Sequence, residues 1–485
     1  MTVAAIGIVT CDRVPSLVAC IEGYLENCRQ HDRTPEFLVV DDSRRAESLA
    51  DAPLALEQVA RRFGGSIRYA GVCEKERFAR ALTAESGVPL DVTQFALLGD
   101  ERCDLSTGAN RNSLLLDTVG SLVFSADDDT TCRIAAAPDS EAPVSIFEGY
   151  DPTEFWFFEE RRLALESASF TDIDVLAHHD ALLGRPVADA TGSAGAAGHI
   201  VITMQGLIGD SGMASPRYYY VLSGASRERF VASEEAYRSA LRSREVLRTV
   251  RRPTVCAASF FMTTFFGFDN RLLLPPFFPV QRNSDGIYGV VLQKCVHGGH
   301  VAFLPWTLIH SPASSREFML EDLWRDAESL RMADVVVDCM LTEGTTAGEA
   351  PAAARMSQLG AHLLQIGSRP LPEFEAHVRS LQQYRAAAFT ALLSNRLHTH
   401  GASPSFWAAD VERLLERMAA APAADHFVVP RDLRGRHDPA TARQLSQELI
   451  AKFGRLLDAW PAIVAAATRL RANGHRLTRS IRGFG

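Results

Sequence analysis

Four short apolar runs, separated by amphipathic stretches, occupy the first 135 residues and leave few folds open. They cover residues 4–10, 37–40, 66–70 and 121–125. After the first run comes Pro15, a residue suited to a helix's first turn, and then Val18, Ile21, Leu25 and Cys28 at helical spacing. Further helical stretches run through Leu56 and Val59, across 74–84, and across 113–119. This β-α-β-α order predicts a mostly parallel sheet with helices on both faces. In such sheets ligands bind beyond the carboxyl ends of the strands. Three of the runs end in polar, acid-bearing clusters: Thr10-Cys11-Asp12-Arg13, Asp41-Asp42-Ser43 and Asp127-Asp128-Asp129. Three such clusters on one edge of one sheet carry more weight than any one alone.

The chain is 485 residues long, which at about 150 residues per domain suggests roughly two to four domains. A net charge of −9 argues against nucleic-acid binding through a basic surface. The nine cysteines include no C-x-x-C pair, which argues against a zinc site or a disulfide framework and for a reducing compartment. No basic region precedes the first apolar run, and Cys11-Asp12-Arg13 cuts it short, so it reads as a buried strand rather than a signal peptide. No stretch approaches 18 apolar residues, the length of a membrane span. The expectation is a cytoplasmic protein.

Residues 136–255 are less regular. Pro138, Pro143, Pro152 and the Gly/Ala-rich run 192–198 mark loops, residues 201–204 read as a strand, and 234–248 read as an exposed helix. This region reads as a long insertion. Apolar strands and loops return over 256–310, and from 315 onward the pattern is almost wholly helical. Phe374, Val378, Leu381, Phe389 and Leu392 fit one helix face, and Leu445, Leu449, Phe453, Leu456 and Trp460 fit another, which Pro461 should kink or end. The expected division is an α/β domain over 1–314 and a helical domain over 315–485, the latter a candidate surface for self-association.

The acidic triplet follows an apolar strand directly. Carboxylates at i and i+2 of an extended segment point the same way. Two such groups suit a hard divalent cation, which can neutralise the charge of a diphosphate. The competing reading is a solvated acidic turn. Upstream lies Gly108-Ala109-Asn110-Arg111-Asn112, with a helix and the strand between it and the triplet. In this order of elements the chain resembles the family 2-type glycosyltransferases of the GT-A fold.

The resemblance implies a nucleotide-diphosphate sugar donor and Mn²⁺ or Mg²⁺ as cofactor. By it, Asp127 and Asp129 would hold the metal, with Asp128 ambiguous in register between metal and donor. Asn110, Arg111 and Asn112 would contact the donor, although Arg111 also reads as a salt-bridging arginine. The nucleotide end would be built from Thr10, Cys11, Asp12, Arg13, Asp41 and Asp42, where Asp41 and Asp42 equally suit helix capping. Inverting members carry an acid after the last strands as general base, and Asp285 matches. Asn283-Ser284-Asp285-Gly286 is also a strong turn sequence. Of His297, His300 and His310, the last is best placed as a third metal ligand, or it is structural. Seven phenylalanines between 260 and 278 suit a core, or else an apolar acceptor groove or a peripheral membrane contact, to which the basic tail 469–482 would add.

The expected activity is transfer of a sugar to a hydroxyl of an unidentified acceptor, peptide, glycan or lipid-linked. Two other readings stay open: a nucleotidyltransferase, less well matched because the loop after the first strand lacks glycines, and a non-catalytic carbohydrate-binding or scaffold protein.

Overall fold

The computed structural model describes residues 2–193, 196–257, 260–344, 350–399, 403–421 and 428–482. Of the glycine- and alanine-rich run 192–198, Ala194 and Gly195 lie outside the described residues.

The strands are β1 (Ala5–Thr10), β2 (Glu36–Asp41), β3 (Ser66–Ala70), β4 (Leu122–Asp127), β5 (Thr130–Ala136), β6 (Ser145–Phe147), β7 (Glu154–Phe157), β8 (Phe170–Thr171), β9 (His199–Asp210), β10 (Glu245–Thr249), β11 (Thr254–Cys256), β12 (Phe265–Asp269), β13 (Gly299–His310) and β14 (Arg479–Arg482). They form one sheet in the order β14-β3-β2-β1-β4-β12-β9-β13-β11-β6, with β10, β7, β5 and β8 attached beside it. The segment β3-β2-β1-β4 is wholly parallel. Its connections are the helices Val14–Gln30, Ala46–Phe63 and Val72–Ser86, then Leu90–Leu98 and Thr107–Asp117. From β4 onward the sheet is mixed. β12 runs antiparallel between β4 and β9, while β9 and β13 pair in parallel.

Side chains that alternate along each central strand fill two apolar layers, one on each face of the sheet. Leu38, Val40 and Val123 enter one layer, and Phe37, Val39 and Phe124 the other. An α/β protein with a large sheet, helices and a C-terminal helical region is the result.

The region 136–255 is not an excursion from this sheet. Its β9 lies inside the sheet, between β12 and β13. The expected helix over 234–248 is a helix only over Glu234–Ala240 and then becomes the buried strand β10. Two charged side chains made that stretch look solvated. Inside, Glu245 pairs with Arg161 and Arg248 with Asp151.

The helical region is tied to the sheet at both of its ends. Leu445, Leu449, Phe453, Leu456 and Trp460 all point into the same apolar layer as Phe278. The helix Pro439–Ala472 runs through Pro461 rather than ending there. Losing one backbone hydrogen bond costs less than exposing the buried face that Trp460, Ile463 and Ala466 continue. In the helix Leu371–Thr399 the expected face holds at Phe374 and Val378, but Leu392 is 41% exposed and Leu393 is buried instead.

After that region β14 returns to pair with β3. The basic tail is engaged within the chain: Arg469 bonds Glu85, Arg476 bonds Glu36 and Asp117, and Arg479 bonds Glu74. Six of the seven phenylalanines between 260 and 278 are buried and Phe260 is partly so, which makes them core. Among the described residues no helix is long and apolar enough to cross a membrane.

Candidate functional site at the carboxyl edge of the sheet

The end of β4 brings the acidic triplet to the sheet's carboxyl edge, where the chain turns at once into β5. The three acids have different surroundings. Asp128 is fully enclosed: Thr10 donates its hydroxyl at 2.6 Å and Arg13 bonds its other oxygen at 2.6 Å. Burial pushes its carboxyl up to about 7, against the pull of Arg13. Asp128 is therefore the acid that fastens the triplet to the loop after β1. Asp127 is the accessible one, with 26% of its side chain exposed, and it takes a 2.6 Å bond from Arg111. Burial of its surroundings still raises its pKa.

Asp129 lies between Arg13, at 2.7 Å, and His310 Nε2, at 3.4 Å. Although burial opposes it, His310 and Arg13 hold its carboxyl below the usual range. His310 ends β13, and its Nδ1 is 2.5 Å from the Asp210 carbonyl. That contact places the proton on Nδ1 and turns Nε2 toward Asp129, the arrangement metal-binding histidines use. Asp129 Oδ1, the oxygen that faces it, is buried and makes no hydrogen bond. A lone-pair nitrogen against an unsatisfied carboxylate oxygen needs a positive charge between them, from a proton on His310 or from a cation. Asp129 raises the His310 pKa despite burial, so in the structure as it stands a proton can serve.

The donor set of Asp127, Asp129 and His310 fits a divalent ion by its chemistry. Among the described residues, however, no three His, Cys, Asp or Glu side chains converge as a ready-made metal cluster. Asp127 is drawn to Arg111 and Asp129 to Arg13, so both carboxylates are held by guanidinium groups.

Arg111 joins the triplet to Asp285. It is 3% exposed, packs over Phe266, and has Nε and Nη1 without hydrogen-bond partners. Its charge also acts on Asp285, whose pKa burial raises and Arg111 pulls down. Asp285 opens the helix Ser284–Cys295 and accepts a bond from the Gly286 amide. Tyr150, from the inserted region, lies close enough for Asp285 to raise its pKa, after the larger effect of burial.

Several residues expected at the donor are scaffold. Both carboxylate oxygens of Asp41 are used, by the Ser43 amide at 2.7 Å and the Tyr69 hydroxyl at 2.9 Å. Asp12 accepts from the amides of Arg44 and Arg45 and so steadies the start of the next helix. Cys11 points at the Asp42 carbonyl, and burial pushes its thiol up to about 11. Asn112 is fully buried and bonds the backbones of Ala96 and Phe277. Asn110 bonds Thr10 and Lys75, and Lys75 in turn bonds Asp42. These residues hold β1, β2 and the helix Thr107–Asp117 together at the carboxyl edge of the sheet. Gly108 matters in the same way, because a Cβ there would lie 1.8 Å from the Phe278 carbonyl oxygen.

No model of a known protein family matches this chain, and no curated protein matches it either.

Three contributors escaped the sequence reading. Lys75 lies in a Glu-Lys-Glu-Arg stretch that looks solvated, yet it is buried. Asp210 sits in a Gly-Asp-Ser-Gly turn sequence, and Tyr150 in the irregular inserted region. None of the three carries a signal that spacing could have found.

Proposed function

We propose that this chain is a metal-dependent, inverting glycosyltransferase of the GT-A type, using a nucleotide-diphosphate sugar. The observation that carries the reading is His310 Nε2 facing Asp129 at 3.4 Å, with Asp127 two residues before Asp129, at the end of β4, and the charge of Arg111 acting on both Asp127 and Asp285. The tautomer of His310 set by Asp210 supports it further.

In this reading Asp127, Asp129 and His310 would hold Mn²⁺ or Mg²⁺, which supplies charge neutralisation to the departing diphosphate. Asp128 and Arg13 keep the loop after β1 against the triplet, so the two halves of the donor site move as one. Arg111, buried beside Asp127 with two nitrogens unpartnered, would supply fixed positive charge next to the donor phosphates. Asp285 accepts the proton of the acceptor hydroxyl as that oxygen bonds the anomeric carbon and the bond to the phosphate oxygen breaks. The raised pKa of Asp285 makes it a stronger base than an ordinary carboxylate.

A thermal-shift panel of UDP-, GDP- and dTDP-sugars, with and without Mn²⁺, tests this. One nucleotide class should raise the melting temperature, and only with the metal present. No shift for any of them at millimolar concentration would end the proposal.

A further inference from the structure

The wall of one cavity, of about 440 Å³, holds no apolar residue: four glutamates, three arginines and three serines form it. Small-molecule sites of about 300–1,000 Å³ are ordinarily lined by apolar and aromatic side chains. Three segments build this wall, residues 159–161, 239–245 and 315–317. Backbone hydrogen bonds brace them against one another. The Phe158 amide bonds the Glu245 carbonyl at 3.0 Å, and the Phe318 amide bonds the Arg242 carbonyl at 2.7 Å. The cavity is therefore formed before any ligand arrives, and little affinity is lost to ordering it.

Part of the wall is already neutralised. Glu245 is buried and takes the Arg161 guanidinium at 3.1 Å, and Arg316 bonds Asp210 at 3.2 Å. The rest is not. Among the described residues the side chains of Glu159, Glu160, Glu317 and Arg242 are exposed and make no ion pair or hydrogen bond. Acceptor-only carboxylates and a donor-only guanidinium thus face one space. The cavity also adjoins the candidate metal residues. Arg161 donates to the Ser311 hydroxyl at 2.7 Å, and the Ser311 amide bonds the Asp129 carbonyl at 2.8 Å. Asp210, which holds Arg316, is the residue whose carbonyl faces His310. No residue expected at the donor lines the cavity.

We propose that this cavity binds a saccharide, and that the acceptor is therefore a glycan rather than a peptide. The assignment to the acceptor rests on the glycosyltransferase reading, whereas the saccharide site rests on the wall itself. A sugar hydroxyl donates and accepts at one oxygen, so it can lie between a carboxylate and a guanidinium and satisfy both. A peptide carries its donor and its acceptor on different atoms, and its apolar side chains would find nothing here to pack against. A phosphate would meet three unpaired acids for one unpaired arginine. A divalent ion would find no grouping of three metal-binding side chains among the described residues. The donor is expected to occupy residues of the first 135, so a saccharide held by segments 159–161, 239–245 and 315–317 is the other substrate.

The test is calorimetric titration of the full chain with neutral trisaccharides of glucose, galactose, mannose and N-acetylglucosamine, with and without UDP, GDP or dTDP plus Mn²⁺. At least one trisaccharide should bind. Glu317→Gln and Arg242→Gln should each weaken it about tenfold, the worth of one charge-assisted hydrogen bond. Both should leave nucleotide affinity within about twofold, and an unchanged melting temperature shows that each variant is folded. Failure of every trisaccharide to bind at tens of millimolar overturns the proposal. So does binding that both variants leave unchanged, because the sugar then sits elsewhere. A neutral serine-glycine peptide that binds through Glu317 where no trisaccharide does overturns it in favour of a peptide. If a trisaccharide binds through Glu317 and Arg242 but no nucleotide binds, the saccharide site stands, while the glycosyltransferase reading falls and takes the assignment to an acceptor with it.

Discussion

At the residue scale, three consecutive aspartates do three different things because each has a different set of partners, although Asp128 and Asp129 share Arg13. Asp128 is sealed against Thr10 and Arg13, Asp129 stands between Arg13 and His310, and Asp127 is partly exposed beside Arg111. Asp129→Asn should reduce Mn²⁺ affinity about 10–100-fold in calorimetry, as losses around a metal commonly do. Asp128→Asn, which keeps a hydrogen-bond acceptor for Thr10, should cost less. Equal affinity in the wild type and Asp129→Asn would remove Asp129 from the metal site.

Asp285 gives a prediction with two signs. Burial raises its pKa, so its charged form is disfavoured in the fold. Between the unfolded carboxylate pKa of about 3.9 and the raised folded value, the native state binds more protons than the unfolded one. This group's contribution to stability therefore falls as pH rises through that window. In the proposed role of base it must be ionised, so turnover by the proposed reaction should fall as pH drops through the raised pKa and level off above it. Asp285→Asn should lower kcat about 10²–10⁴-fold and, at pH 8, raise the melting temperature. A variant that loses stability at pH 8 would show that Asp285 serves the fold. Asp127 and Asp129 after β4 and His310 at the end of β13 are readable because strand ends follow from apolar runs, whereas Asp285, at the start of a helix, comes from the family resemblance. Asp41 and Asn112, expected at the donor, are engaged by Tyr69 and Phe277, contacts between distant residues that no local pattern carries.

At the element scale, the helices Ala352–Gly367 and Pro439–Ala472 cross at glycines. A Cβ on Gly360 would lie 2.6 Å from the Gly454 carbonyl, and one on Gly454 2.7 Å from that of Gly360. Such contacts let backbones approach where any side chain would force them apart. Gly360→Ala should destabilise by about 1–3 kcal/mol, the usual cost of overpacking, despite alanine's better helix propensity. Urea unfolding measures it, and a stabilised variant would show that the helices can separate freely. Periodicity read the helices well and their partners not at all. The apolar stripe from Leu445 to Trp460 is visible in the sequence, but nothing there says that Trp460 will bond the Leu274 carbonyl. Parallel order was legible over β1 to β4, where helices connect each strand to the next. From β4 on, strands pair with distant partners and the local pattern carries no register.

At the scale of the whole molecule, the last residues of the described chain are bound to the first sheet through one acid. Asp117, fully buried at the end of the helix Thr107–Asp117, accepts from Arg476 at 2.7 Å, the Leu477 amide at 3.0 Å and the Thr478 hydroxyl at 2.8 Å. β14 then pairs with β3, and Arg68 bonds Thr478 on the way. The same helix carries Arg111, so the tail's anchor and the partner of Asp127 share one element. Asp117→Ala would leave the Leu477 and Thr478 amides and the Thr478 hydroxyl without their carboxylate, and Arg476 with Glu36 alone among its acids, a change that costs about 1–3 kcal/mol for a buried donor left without an acceptor. It should release β14 first, because a short edge strand has few other contacts holding it. Hydrogen exchange should then show lost protection over residues 66–70 and 477–482 while β1 and β4 stay protected. If exchange rose uniformly across the sheet, Asp117 would support the whole fold rather than its closing strand. If protection of β14 were unchanged, β14 would dock by its ladder with β3 alone.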